Sequence, residues 1–141
     1  MARAGISPKE INYVECHGTG TKVGDAIEVD ALARVFPRTP QQPLLIGSVK
    51  SNVGHSEAAS GISSVIKGTM LLEHGLIPAS YGVKDINPKL KADERHIIIP
   101  TALTAWPDSL PRVRRIGKCY CAIVYPGEPP ERRNLDNHDL T

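Results

Sequence analysis

Residues 11–35 read INYVECHGTGTKVGDAIEVDALARV, and they contain a strand pattern, a glycine- and threonine-rich loop and a helix pattern, in that order. The segment Ile11 to Cys16 is rich in β-branched and aromatic residues, which predicts a short strand. A polar loop then runs from His17 to Gly24. Asp25 is placed to cap a helix that ends before Pro37. That helix is predicted over residues 26–35 because four apolar residues share one face: Ile27, Ala31, Leu32 and Val35.

A second strand, loop and helix follow in residues 44–75. The run Leu44 to Val49 is mostly apolar without clean alternation, which predicts a strand covered on both faces. A polar loop from Lys50 to His55 leads into a helix that begins near Ser56, and Gly75 is placed to end it. This helix carries small residues on every side, so we expect it to be buried inside a layered domain.

The rest of the chain predicts two further strands and a tail. Ile97 to Ile99 predicts a short strand, and Cys119 to Val124 predicts a final one. From Pro126 onward the chain is rich in proline and charge, which predicts a disordered tail. The order of elements predicts an α/β fold, in which functional groups gather in loops at the carboxyl ends of strands. Both polar loops occupy such ends, and each contains one histidine.

The composition excludes several classes of protein. The chain has 141 residues, enough for one compact domain, of which 40% are hydrophobic and 23% charged. No apolar run approaches the roughly 18 residues of a membrane helix, so we expect no membrane association. A net charge of +2 without a basic stripe gives no case for a nucleic-acid partner.

The three cysteines predict no metal site and no disulfide framework. An odd number of cysteines, with no visible signal peptide in the first ten residues, predicts reduced thiols and a cytoplasmic location. Two of the thiols lie in the tripeptide 119–121, which reads Cys-Tyr-Cys and has no second pair of ligands nearby.

Each polar loop, taken alone, has an ordinary explanation as well as a functional one. The first loop lacks the spacing of a phosphate-binding loop and of a dinucleotide fingerprint. It is either a plain strand-to-helix turn or a loop whose Thr19 and Thr21 hydroxyls contact a ligand. His55 is either a capping or packing residue, or a neutral imidazole that donates a hydrogen bond to a developing oxyanion.

The two loops together resemble a known family. The strings VECHGTGTKVGDAIEVDAL (residues 14–32) and IGSVKSNVGHSEAASG (residues 46–61) are similar to the C-terminal half of a β-ketoacyl synthase, the ketosynthase domain of polyketide and fatty-acid synthases. The form Cys-His-Gly-Thr-Gly-Thr most resembles multidomain type I polyketide synthases of fungi. The resemblance extends from Ile6 to Arg115.

This resemblance implies a fold, a reaction and partners. The fold is a partial thiolase-like fold, that is, a C-terminal half-domain of layered α/β structure with a mixed sheet. The reaction is a decarboxylative Claisen condensation of an acyl thioester with malonyl-acyl carrier protein. No cofactor is bound directly, since the phosphopantetheine arm belongs to the acyl carrier protein. The family is homodimeric, and a separate N-terminal half completes each ketosynthase.

Six site residues are implied by motif match. Two histidines would stabilise the enolate that forms on loss of CO₂, namely His17 and His55. The match assigns Lys50 to the support of these histidines and Glu28 to the role of its acidic partner. Thr19 and Thr21 match residues that hydrogen-bond the pantetheine arm.

The sequence also departs from the family pattern. The family nucleophile is a cysteine in the N-terminal half, whereas Cys16 matches a non-nucleophilic position and its strand-end location favours a buried structural thiol. Residues 1–115 follow the family, and residues 116–141 form an atypical end. The short basic group of Arg112, Arg114 and Arg115 predicts a solvated turn, with docking of an acidic carrier protein as the alternative.

We therefore expect a partial ketosynthase that has no condensation activity by itself. The alternatives are a non-catalytic assembly partner of a separate ketosynthase half and a truncated gene product without function.

Overall fold

A computed structural model of the chain describes residues 5–107, 114–118 and 121–125. The helices are α1 (Gly24–Val35), α2 (Lys50–Val53) and α3 (Ser60–His74). The strands are β1 (Tyr13–Glu15), β2 (Leu44–Gly47), β3 (Leu76–Ile77), β4 (Ile97–Ile98), β5 (Thr104–Ala105), β6 (Arg114–Lys118) and β7 (Cys121–Tyr125). Single 3₁₀ turns occupy Pro8–Glu10, Glu57–Ala59 and Pro88–Leu90. None of the helices in these described ranges is long and apolar enough to cross a membrane.

Five strands form one mixed sheet in the order β4-β2-β1-β6-β7. The first four are mutually parallel and β7 is antiparallel to β6, which confirms the mixed sheet expected from the sequence. In the register of the two central strands, Glu15 lies opposite Gly47. The short strands β3 and β5 form a separate antiparallel pair.

Both faces of the large sheet are covered, because successive side chains of a strand point to opposite faces. On the α1 face the strands contribute Val14, Leu44 and Ile46 to one hydrophobic cluster. On the α3 face Tyr13, Leu45 and Ile116 join a second cluster with side chains of the helix. The prediction that the second strand is buried on both faces is confirmed.

The expected start and buried face of α1 were wrong. The helix begins at Gly24 after Val23, without a side-chain cap, and the Asp25 carboxylate accepts the backbone N–H of Gly20 at 3.2 Å. Its buried residues are Val29 and Leu32, whereas the rest of the predicted apolar stripe is exposed: Ile27, Ala31 and Val35. Apolar residues occur on two stripes of this helix, and contact with the sheet decides which one is buried.

Helix α3 is only partly buried, so the expectation of burial on every side is wrong for the described residues. The small side chains of Ser64 and Gly68 and the larger ones of Leu71 and Leu72 face the sheet. On the opposite side three large apolar residues are more than half exposed, namely Ile62, Ile66 and Met70. Gly75 ends the helix in the left-handed conformation, as predicted.

The end of the described chain differs from the solvated turn expected around Arg114 and Arg115. These residues begin β6, which pairs in parallel with β1, and the guanidinium of Arg115 lies 2.6 Å from the Glu10 carboxylate. Strand β6 also crosses the domain boundary predicted after residue 115. That boundary stays a prediction. Arg112, Cys119 and the predicted tail from residue 126 lie outside the described residues.

Candidate functional site

Two histidines meet at the carboxyl ends of the central strands. His17 follows β1 and His55 follows α2, which itself follows β2. Because β1 and β2 are parallel neighbours, the loops leave the sheet at the same edge. The two imidazole centroids lie 5.5 Å apart with an interplanar angle of 89°, an edge-to-face arrangement. The structure thus brings together the two histidines that the sequence singled out.

The backbone of His17 is held from both sides. Its N–H donates to one Glu28 carboxylate oxygen at 2.6 Å, and the next N–H, of Gly18, donates to the other at 2.9 Å. Its carbonyl accepts the Ser48 hydroxyl at 3.3 Å. Hydrogen bonds to an ionised carboxylate are shorter and stronger than neutral ones, so α1 fixes the position of this loop through Glu28.

Gly18 permits the close approach of the two loops. Its φ is +49°, a left-handed conformation that glycine adopts without steric cost. A Cβ at this position would lie 2.6 Å from the Cβ of Ser48, closer than carbon atoms can approach. The glycine therefore brings the backbone beside His17 into contact with the segment that leads to His55.

The ring of His55 is oriented by the turn that precedes α3. Its Nδ1 accepts the backbone N–H of Glu57 at 3.2 Å. A neutral imidazole whose Nδ1 accepts a hydrogen bond carries its proton on Nε2. The Nε2 atom of His55 is therefore left as an N–H donor.

A cavity of about 320 Å³ opens beside His55, whereas His17 is not among the residues that line it. Four of the sequence-predicted residues line it, namely His55, Lys50, Glu28 and Thr19. Lys50 is buried at the start of α2. Thr21 lies in the turn before α1, where its hydroxyl accepts the backbone N–H of Gly24 at 3.1 Å. The sequence did not predict this structural contact of Thr21. It also did not predict the contact of Glu28 with the His17 loop.

A buried polar network beneath the histidine loops was missed by the sequence analysis. The Glu15 carboxylate, at the end of β1, is bonded to the Tyr13 hydroxyl at 2.7 Å and lies 2.8 Å from the Lys67 ammonium. Burial, and after it the charge of Glu15, raises the pKa of Tyr13 far above its ordinary value, so the phenol remains a hydrogen-bond donor. A glutamate inside a buried strand was the available signal, because a buried charge requires a partner.

Cys16 occupies the buried position that its strand-end location predicted. It is 7% exposed, belongs to the hydrophobic cluster on the α1 face and contributes to the cavity wall. Its thiol lies 3.7 Å from the Val14 carbonyl, to which it donates. Within residues 5–107, 114–118 and 121–125, no three His, Cys, Asp or Glu side chains are grouped so that they could hold a metal ion.

Comparison with known proteins places these loops in a recognised sequence context. Residues 1–84 match the family model described as β-ketoacyl synthase, C-terminal domain. The chain is 70% identical over 117 residues to the highly reducing polyketide synthase anuA of Penicillium roqueforti, which covers 83% of this chain and 6% of that protein. It is 62% identical over 110 residues to the highly reducing polyketide synthase srdA of Neurospora crassa, which covers 78% of this chain and 5% of that protein.

A solved structure has the same fold. The ketosynthase from module 6 of the bacillaene synthase of Bacillus subtilis 168 superposes with a TM-score of 0.74 at 37% identity. The match covers 82% of this chain and 21% of that ketosynthase. The α/β structure described above is therefore a part of the thiolase-like fold, and it spans a small fraction of the proteins that it matches.

Proposed function

The chain belongs to the β-ketoacyl synthase family, in the C-terminal domain, and we propose that it supplies the histidine side of a ketosynthase active site. The edge-to-face contact of His17 and His55 carries this proposal, since it brings the imidazole of His17 to within 5.5 Å of the one that lines the cavity. The reaction is the decarboxylative condensation of an acyl thioester with a malonyl thioester.

The two imidazoles act where negative charge develops. When the malonyl thioester loses CO₂, the electron pair of the broken C–C bond moves into an enolate whose charge rests on the thioester oxygen. We assign the Nε2–H of His55 as a donor to that oxygen, because Nδ1 already accepts the backbone N–H of Glu57. Preorganised donors of this kind stabilise a developing oxyanion without reorganisation. The enolate carbon then attacks the acyl thioester, and the thiolate of the nucleophile leaves.

The neighbouring residues bind or support. Glu28 holds the His17 loop through two backbone N–H groups. Lys50 and Glu28 line the same cavity, and we assign Lys50 to the support of the histidines, with Glu28 as its acidic partner. Thr19 lines the cavity, and we assign it, together with Thr21, to hydrogen bonds with the amides of a pantetheine arm. That arm belongs to an acyl carrier protein, which is the partner that delivers the extender.

The nucleophilic cysteine comes from another part of the ketosynthase. Cys16 is 7% exposed, packs in the hydrophobic cluster on the α1 face and directs its thiol to the Val14 carbonyl, which disfavours a nucleophilic role. We therefore assign Cys16 a packing role and infer that the 141 residues alone do not catalyse condensation. A homodimeric ketosynthase that includes this segment is the active form.

Acyl-enzyme labelling tests this assignment. The purified chain is incubated with a radiolabelled acyl thioester, alone and together with the cysteine-bearing half of a related fungal ketosynthase. Label appears only on the added half, and release of CO₂ from malonyl thioester requires both halves. Stoichiometric labelling of Cys16, or unchanged CO₂ release after substitution of both histidines, would overturn the proposal.

A non-catalytic assembly role is the second candidate, and the exposed face of α3 favours it. Ile62, Ile66 and Met70 are 59%, 55% and 53% exposed, and such apolar patches mark surfaces of association. If the chain binds a ketosynthase half without enabling CO₂ release, the assembly role is the correct one.

A further inference from the structure

The buried carboxylate of Glu15 connects the two histidine loops. Glu15 is the last residue of β1 and is 1% exposed. Its Oε1 accepts the backbone N–H of Val49 at 2.6 Å, and its Oε2 contacts Tyr13 and Lys67. The three contacts come from the strand itself, from the start of α2 and from α3.

These contacts lie next to both histidines along the chain. Glu15 precedes His17 by two residues. Val49 is the residue before α2, the helix that runs from Lys50 to Val53 and is capped by Gly54, immediately before His55. The bond between Glu15 and Val49 therefore spans the gap between the end of the first strand and the start of the second loop.

The charge of this carboxylate is balanced locally. The Lys67 ammonium lies 2.8 Å from Oε2 and also donates to the Tyr13 hydroxyl at 2.9 Å, while that hydroxyl donates to Oε2. The three groups form a closed triangle in which each oxygen is satisfied. A buried charge that is paired and hydrogen-bonded in this way restricts its surroundings to one geometry.

Gly47 provides the room for this triangle. A Cβ at this position would lie 2.7 Å from the Tyr13 hydroxyl oxygen and 3.6 Å from the Lys67 nitrogen. Gly47 lies opposite Glu15 in the register of the sheet. The absence of a side chain at this position of β2 therefore leaves space for the polar group on β1.

We propose that Glu15 is a positioning residue that sets the relative placement of the His17 and His55 loops, with Lys67 and Tyr13 holding its carboxylate in place. The contribution of Glu15 to catalysis rests on the function proposed above. The placement of the two loops is a property of this chain and can be measured without an activity assay.

The variant Glu15→Gln tests the placement with little change in shape. A glutamine has one acceptor oxygen, and the carboxylate here accepts from donors on both sides. If the amide oxygen faces Tyr13 and Lys67, its NH₂ group faces the Val49 N–H and that bond is lost. NMR of the full 141-residue chain then shows amide exchange at Val49 faster by about tenfold or more. The ring resonances of both His17 and His55 shift as well.

Glu10→Gln is the matched control. Glu10 also pairs with a basic side chain, Arg115 at 2.6 Å, and also accepts a backbone N–H, that of Ser7 at 2.7 Å. It precedes β1 and lies at the end of the strand away from the histidines. This variant lowers stability without moving the imidazole resonances, so the control separates a general loss of stability from a loss of placement.

A second variant covers the case in which Glu15→Gln does not fold. Gly47→Ala leaves every charge unchanged and displaces the Tyr13 hydroxyl, so it shifts the same two ring resonances by a smaller amount. The proposal is overturned if both histidines keep their wild-type resonances in every folded variant. It is also overturned if the wild-type Val49 amide exchanges as fast as the amides of exposed loops. Neither result bears on whether a reconstituted ketosynthase releases CO₂.

Discussion

The Glu28 carboxylate accepts the backbone N–H of His17 at 2.6 Å, which ties the position of this histidine to helix α1. The second carboxylate oxygen accepts the N–H of Gly18. Glu28→Gln keeps only one acceptor oxygen for these two donors. We expect a loss of about 1–3 kcal/mol in the free energy of unfolding, measured by urea denaturation. A variant as stable as the wild type would show that the two bonds contribute nothing.

Substitution of His17 or His55 should slow the reaction, whereas substitution of another histidine of the chain should not. In a ketosynthase reconstituted from two halves, we expect His17→Gln and His55→Gln each to slow CO₂ release from malonyl thioester by about 10²–10³, the usual effect of removing one oxyanion donor. His74→Gln, at the exposed end of α3, is the control and should leave the rate unchanged. Equal rates for all three variants would contradict the proposed role.

Gly18 should tolerate alanine much less well than Gly20. Both have positive φ values, +49° and +76°, so alanine costs about 1–2 kcal/mol of strain at either position. Only at Gly18 does the added Cβ also meet Ser48, at 2.6 Å, whereas nothing lies within 4 Å at Gly20. We expect Gly18→Ala to lower the free energy of unfolding by about 1–3 kcal/mol more than Gly20→Ala. Equal losses would show that the loops do not pack as described.

The two sides of α3 should respond differently to substitution. Ile66→Lys, on the exposed side, should change the stability of the chain by no more than about 0.5 kcal/mol but abolish co-purification with the cysteine-bearing half. Leu72→Ala, at a side chain that is 2% exposed, should cost about 2–5 kcal/mol. Thermal unfolding and affinity co-purification measure the two effects. Retained co-purification of Ile66→Lys would assign association to another surface.

Alkaline pH should destabilise the fold through Tyr13. Its pKa is raised in the folded state by burial and by the Glu15 charge, so the unfolded phenol ionises first, near pH 10. The stability that depends on the protonated phenol is complete below about pH 10 and is lost as the pH rises further. Tyr13→Phe should remove this dependence, whereas Tyr81→Phe, at a side chain that is 72% exposed, should not. Denaturation curves between pH 8 and about 11 measure the difference.

The parts of the fold that depend on local pattern were predictable, and those that depend on contacts distant in sequence were not. The alternation of strand, loop and helix gave the α/β class, and the left-handed glycine at the end of α3 was identified from its position. The buried face of α1 and the strand β6 depend on which surfaces the sheet presents, so propensity alone did not find them. In the site, both histidines were predicted because each lies in a polar loop that follows a strand. The glutamate in a buried strand indicated that a partner was needed, but Lys67 lies 52 positions away, so local pattern did not identify it.

The position of Gly47 opposite Glu15 has a consequence for the recombination of related synthases. Glu15, Gly47 and Lys67 belong to three separate stretches of the gene, but they occupy one small volume of the protein. A crossover between two synthase genes that falls after codon 15 and before codon 67 would combine a carboxylate from one parent with an ammonium from the other. Chimaeric synthases should therefore exchange residues 13–67 as a single block. A junction inside that block would pair buried polar side chains from two parents that evolved separately.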